Sequence, residues 1–206
     1  MIQVEAKPSA RTKLLFAALS MIRARGYAGT SVEDLCGAAG VTKGAFFHHF
    51  KSKDALAVAA AGCWSETTAG LFATAPYHDH ADPLDRVLGY IDFRKAILRG
   101  KVSEFSCLAG TMVQEVYDTH PAIRDACERS ISHHAATVEA DIAEAMRSHG
   151  ADGNWTASSL ALHMQAVLQG AFILAKAKAG PRVAEDSIDH LRRYVELLFD
   201  RRTAKK

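Results

Sequence analysis

The stretch Thr30 to Lys53, TSVEDLCGAAGVTKGAFFHHFKSK, sets helix caps at close intervals, and caps fix where each helix starts and which side chains face outward. Ser31 with Asp34 three residues on has the form of a capping box, with the carboxylate at the positive end of the helix dipole, so a helix begins near Val32. That helix is short. Gly37 and Gly40 weaken it, and Gly40 can adopt the left-handed conformation that ends a helix and turns the chain. Thr42 caps the next helix, and Val41 with Phe46 fits the hydrophobic staple that fixes its entry angle. Two short helices around a tight turn, followed at Ser52 by the start of another, form the layout of a helix-turn-helix that enters a DNA groove.

At 100° per residue, Lys43, Gly44, Phe47 and His48 fall on one side of the second of these helices, and Ala45, Phe46, His49 and Phe50 on the other. An outward phenylalanine is unfavourable on a free surface, and a glycine in the first turn costs about 1 kcal/mol relative to alanine. Both make sense against DNA. Gly44 permits close approach of a phosphate, Lys43 supplies charge, Phe47 packs on sugar or a thymine methyl, and His48 bonds a phosphate or base edge. Lys53 opens the following helix, where the dipole disfavours a cation, and a phosphate bound there would account for it.

The segment GYAGTSVEDLCGAAGVTKGAFFHHFKSKDAL resembles the DNA-binding domain of the tetracycline-repressor (TetR) family of bacterial transcriptional regulators. The likeness is close from Ser9 to Leu56; beyond that it rests on length, helical pattern and segment order. It implies an all-α fold in which an N-terminal three-helix helix-turn-helix domain, residues 1–53, joins a larger helical effector-binding and dimerisation domain, residues 54–206. Carried over by position, Ser31, Thr42, Lys43, Gly44, Phe47, His48 and Lys53 are the expected DNA contacts. The family usually has tyrosine where this chain has Phe47, so a hydroxyl able to bond a phosphate is missing. The resemblance further implies a homodimer on a double-stranded DNA operator, usually as a repressor. It also implies that a small-molecule effector in the body shifts the fourth helix and changes the separation of the two reading heads.

Charge points the same way. Residues 1–53 hold eight Lys and Arg against three acids, a balance of +5, whereas the whole chain carries +2, leaving −3 for the remainder. A basic head on a mildly acidic body suits a protein that meets a polyanion at one end. The longest uninterrupted apolar run, Ala55 to Trp64, is far below the roughly 20 residues that span a bilayer, and MIQVEAKPSARTK has no apolar signal core. These features predict no membrane partner and a cytoplasmic protein. Cys36, Cys63, Cys107 and Cys127 lie far apart, without a CxxC, so neither a disulfide framework nor a zinc knuckle is expected. His78 with His80 and His133 with His134 read as solvated pairs, and no metal or cofactor is expected.

The pattern stays helical throughout. Expected helices are Ala10–Arg25, Lys53–Thr74, Pro83–Leu98, Val102–Asp118, a long one from Pro121 broken at Gly150–Asn154, Thr156–Ala179 and Val183–Arg201. The last two are assigned to the dimer interface through Leu160, Met164, Val167, Ala171 and Leu174 on one and Ile188, Leu191, Val195 and Leu198 on the other, with Ala161, Gly170, Ala171 and Ala175 permitting close approach. Residues proposed to line the effector site are the bulky or polar groups of the body: Trp64, Phe72, Phe93, Phe105, Cys107, Met112, Gln114, His133 and His163. Ordinary core packing competes with that role at each. Phe105 and Leu108 give Cys107 an apolar setting, which argues against a reactive thiol. The alternative from another class is an all-helical enzyme or small-molecule-binding protein without DNA binding; no nucleophile elbow, phosphate loop or paired zinc ligands supports it.

Overall fold

The computed structural model describes residues 8–199, which form ten α-helices and one short 3-10 helix, with no strand among them. Helices α1 (Ala10–Arg25), α2 (Val32–Ala39), α3 (Lys43–His49) and α4 (Lys53–Ala73) begin where their caps direct. Ser31 Oγ accepts from the Asp34 N–H at 3.1 Å and the Asp34 carboxylate accepts from the Ser31 N–H at 3.0 Å, completing the capping box. Thr42 Oγ1 accepts from the Ala45 N–H and Ser52 Oγ from the Ala55 N–H, both at 3.1 Å. Gly40 is left-handed at φ 62°, ψ 42°, and its N–H closes on the carbonyls of Cys36 and Gly37.

A 3-10 turn at Pro76–Asp79 follows, then α5 (Pro83–Ala96), α6 (Val102–Phe105), α7 (Leu108–Val116), α8 (Pro121–His149), α9 (Ala157–Ala177) and α10 (Arg182–Leu198). The expected continuation of the last helix to Arg201 lies partly outside the described residues. One expected helix, Val102–Asp118, is two: Ser106 takes extended backbone, φ −73°, ψ 156°, and breaks it. The residues on either side of the break serve different cores, Phe105 one and Leu108, Ala109 and Met112 the other.

The chain divides into two compact units that do not follow chain order. The first holds the residues up to Trp64 together with Leu108–Glu128. Within it α1 packs on α2, α3 and α7. The stripe Leu14, Leu15, Ala18, Leu19 and Ile22 is buried as its spacing requires, with Leu35, Phe46 and Met112 among the other buried residues. The turn between α1 and α2 is pinned from α7: the Glu115 carboxylate accepts from the backbone N–H groups of Tyr27 at 3.1 Å and Ala28 at 2.8 Å. Gly26 makes this possible. Its φ of +82° suits glycine, and a Cβ there would stand 2.2 Å from the Glu115 carboxylate oxygen.

The second unit holds Ser65–Cys107 and the residues from Arg129 onward. Its core draws on Leu84, Val87, Leu88 and Ile91 of α5, Ala135, Val138, Ile142 and Ala145 of α8, Leu160, Met164, Leu168 and Ala171 of α9, and Ile188, Leu191 and Val195 of α10. Trp155 closes one side, its ring edge-on to Phe199 with centroids 5.6 Å apart. Most of the stripe assigned to a dimer interface is therefore internal: Leu160, Met164, Ala171, Ile188, Leu191 and Val195 are buried, as are Ala161 and Ala175. The large apolar side chains that α9 and α10 leave exposed are Leu174 of that stripe and, outside it, Leu162, Ile173, Tyr194 and Leu197. The two helices are apolar on two faces, and periodicity alone does not say which turns inward. Helix α9 is also long and apolar enough by composition to cross a membrane, with mean hydropathy 1.3, because its glutamines and His163 interrupt the run without dominating it. Here its inner face is core.

Ion pairs brace the surface of this unit, Arg86 with Asp141 at 2.7 Å and with Glu144, and Lys95 with Asp189 at 2.7 Å. Inside it lies a polar cluster. Tyr90 is fully buried, and its hydroxyl lies 3.0 Å from His134 Nε2 while accepting from Arg94 Nε at 3.0 Å and from Gln165 Nε2 at 3.2 Å. Arg94 also donates through its other guanidinium arm to His134 Nε2. Burial first, then the Arg94 charge and His133, push His134 down to about 3, so its ring is neutral and its Nε2 is an acceptor for both neighbours.

Two outcomes follow. Gly26→Ala strains the backbone and displaces Glu115 from both amides, so it lowers stability by roughly 2–4 kcal/mol in urea unfolding, with Glu115→Gln costing less. For His134 the unfolded chain takes up a proton below about pH 6.5 while the folded chain resists until about 3, so stability falls on acidification across that window. Thermal unfolding against pH gives a steeper acid limb for the wild type than for His134→Gln, with a contribution approaching about 1.4 kcal/mol per pH unit.

Candidate nucleic-acid interface

Helix α3 has a buried side and a bare side, divided as its spacing predicts. Phe46 is fully buried and Phe50 nearly so, with ring centroids 6.0 Å apart, and Arg11 lies over the Phe50 ring at 5.5 Å. Facing outward are Lys43, Gly44, Phe47 and His48. Phe47 is 55% exposed and touches Phe46 only edge-on, centroids 5.1 Å apart. Gly44 answers no internal need: a Cβ there would meet only Thr42 Oγ1 at 3.7 Å, so the fold itself does not demand glycine in that turn. Thr42 and Ser31, both exposed, stand at the first turns of α3 and α2.

Two of the expected cations are already engaged. Lys43 pairs with Glu33 of α2, which holds that carboxyl below the usual carboxylate range and raises the lysine. The pair is solvent-exposed and therefore weak. Lys53 is turned into its own unit: Nζ donates to the carbonyls of Tyr27 and Thr30, each at 3.1 Å, and lies 4.0 Å from the Tyr27 ring centroid. These partners account for a cation at the first turn of α4 without an outside anion. Beside it the Tyr27 hydroxyl donates to Asp54, and burial, with that carboxylate, pushes the phenol up.

The residues proposed for an effector site do not converge. Phe72 and Phe93 come together edge-on at 5.2 Å in the second unit. Phe105 faces Phe172 at 6.2 Å, with Cys107 partly buried on the same core. Trp64, Met112 and Gln114 belong to the first unit: Arg23 covers the Trp64 ring at 4.9 Å, Met112 is core, and exposed Gln114 bonds the Gly110 carbonyl at 2.6 Å. His133 is exposed, and the His163 ring meets that of exposed Tyr194 at a tilt, centroids 5.1 Å apart. The polar centre around Phe72 is made instead of Tyr90, Arg94, His134 and Gln165, none of which the sequence reading singled out for it. Two signals were present. Tyr90 and Arg94 stand four apart on one helix, and His134 lies four before the core residue Val138, so each pair shares a face.

Comparison with known proteins agrees with this geometry. Residues 14–60 match the bacterial regulatory proteins of the tetR family, and residues 83–191 match the tetracyclin repressor-like C-terminal domain. The HTH-type transcriptional regulator CymR of Pseudomonas putida is 46% identical over 57 residues, a match that spans 28% of this chain and 28% of that relative's length. Among solved structures, a TetR transcriptional regulator from Chloroflexus aurantiacus J-10-FL is 26% identical with a TM-score of 0.77, covering 90% of this chain and 93% of the other. The regulatory protein TetR from Rhodobacter sphaeroides, 22% identical, shares the fold with a TM-score of 0.79 over 89% and 97% of the two chains. With both family domains in order along an all-helical chain, this chain belongs to the TetR family of bacterial transcriptional regulators.

Proposed function

We propose that this regulator binds a palindromic operator as a homodimer and leaves it when a small molecule enters the second unit. The observation that carries the DNA side is the bare face of α3, an exposed Phe47 beside a glycine that no internal packing requires. One seven-residue helix reads too few bases for specificity, and two related by a two-fold axis meet half-sites about 34–36 Å apart. Leu162, Ile173, Leu174, Tyr194 and Leu197, exposed on the last two helices, supply the apolar surface for pairing. A regulator of this kind acts on the chromosome, in the cytoplasm, and needs no catalytic group. Release requires only that the effector prefer a conformation whose heads miss the two grooves; a coupling of about 1 to 3 kcal/mol changes affinity about 5- to 150-fold.

DNA flanking the chain's own gene is the first test, by gel shift and footprinting across a salt series. Protection of a palindrome supports the reading, and no binding to any such fragment at low salt overturns it. Within that assay Ser31, Thr42, Gly44, Phe47 and His48 are the proposed contacts, with Lys43 meeting phosphate once Glu33 releases it. Lys43→Ala reduces the salt slope by about one. Lys53 is expected to behave differently because its ammonium holds two carbonyls: Lys53→Ala lowers the unfolding midpoint as well as DNA affinity. Phe47→Tyr supplies a phosphate-bonding hydroxyl and tightens operator binding about threefold to tenfold.

A further inference from the structure

The second unit contains an arginine that makes no ion pair among the described residues. Arg94 of α5 is half-buried, and its hydrogen bonds go to two neutral groups, the Tyr90 hydroxyl and His134 Nε2. Its remaining contacts are ring faces: the guanidinium carbon lies 4.5 Å from the Phe72 centroid and 5.4 Å from that of Tyr90. Every other arginine-to-carboxylate pair recorded in this unit lies elsewhere, Arg86 with Asp141 and Glu144, and Arg192 with Asp92 and Glu196. The nearest lysine in sequence, Lys95, is held by Asp189. Arg94 therefore stands as a cation amid aromatic rings with no carboxylate paired to it among the described residues.

Its donors are already sorted. Nε donates to Tyr90, one hydrogen of Nη2 goes to His134, and Nη1 makes no hydrogen bond within the described residues. A guanidinium has five N–H groups in a rigid plane, so three donors remain, two of them parallel at its far edge, the spacing that a carboxylate accepts in bidentate fashion. The neutral acceptors behind it fix the fork: Tyr90 is locked by Gln165, and His134 stands edge-on to Phe72 at 4.6 Å. Such a group is preorganised before any ligand arrives, which lowers the ordering cost of binding.

We propose that the effector of this regulator is an organic monoanion, a carboxylate carried on an apolar, ring-sized body, with Arg94 receiving the carboxylate and the partly exposed Phe93 beside the body. This rests on the reading that the second unit takes a small molecule, and it adds the chemical class. One guanidinium edge takes one carboxylate; a phosphate, with two charges, would bring an uncompensated charge against Phe72, Tyr77 and Phe93, whose rings pack together at 5.2 to 6.0 Å. Tyr90 and His134 are positioning residues, since they hold the fork rather than meet the ligand.

The test uses the full chain with sodium benzoate, cinnamate and cyclohexanecarboxylate, against benzamide as the neutral isostere and inorganic phosphate as the dianion, all at matched ionic strength. Thermal midpoint and calorimetric titration are the readouts. At least one monocarboxylate raises the midpoint in proportion to the logarithm of its concentration, while benzamide and phosphate do not. Arg94→Gln weakens that binding about tenfold to hundredfold with helical content unchanged, and Arg94→Lys, which keeps charge but loses the fork, falls between. Equal response to benzoate and benzamide, no response to any of the three carboxylates, or undiminished binding by folded Arg94→Gln overturns the proposal. The acid-against-amide comparison on the wild type decides the matter even if the Gln variant does not fold. Operator release by a neutral compound alone would overturn the anion class and leave the regulator standing. Carboxylate binding by a chain that binds no DNA would do the reverse.

Discussion

Tyr27, one residue past the glycine that ends α1, is held by every polar or ring atom it offers. Its N–H goes to Glu115, its hydroxyl to Asp54, its carbonyl and its ring face to Lys53, and its ring edge meets His120 at 5.5 Å. The partners come from the start of α4, from α7 and from the turn before α8, so one residue, through its backbone and its ring, ties the α1–α2 turn to three other parts of its unit. The short helices depend on this knot. An eight-residue α2 and a seven-residue α3 are below the length at which helices persist alone, and their orientation is set by the elements at either end of them.

The local part of this architecture was legible because caps and turns act over three or four residues. Ser31, Gly40, Thr42 and Ser52 placed three helix starts and one stop from their own neighbourhoods, and the two faces of α3 followed from angle alone. The long range was not. Lys53 looks misplaced to any reading that sees only α4, because the carbonyls that hold it belong to residues 26 and 23 positions earlier. Glu115 carries no local mark either, being an exposed acid on a short helix whose partners are 88 and 87 residues away.

In the second unit the difficulty was different. Helices α9 and α10 carry more apolar side chains than one face can hold, and the stripe with the cleanest spacing proved to be the one the unit's own core consumes. The surplus, Leu162, Ile173, Leu174, Tyr194 and Leu197, stays on the surface. A buried polar cluster is equally hard to foresee, since Tyr90, Arg94, His134 and Gln165 sit on three helices and each alone resembles an ordinary core or surface residue. Their joint meaning comes from satisfaction: the neutral groups complete one another's hydrogen bonds, and the charge is left over.

The chain has two tryptophans, and the fold distributes them one to each unit. Trp64 lies under the Arg23 guanidinium and Trp155 against the Phe199 ring, two surroundings that tune indole emission differently. Replacing either by phenylalanine leaves a protein with one intrinsic fluorophore, so the melting of the reading head and that of the body become separate optical signals in a single molecule, without any attached dye.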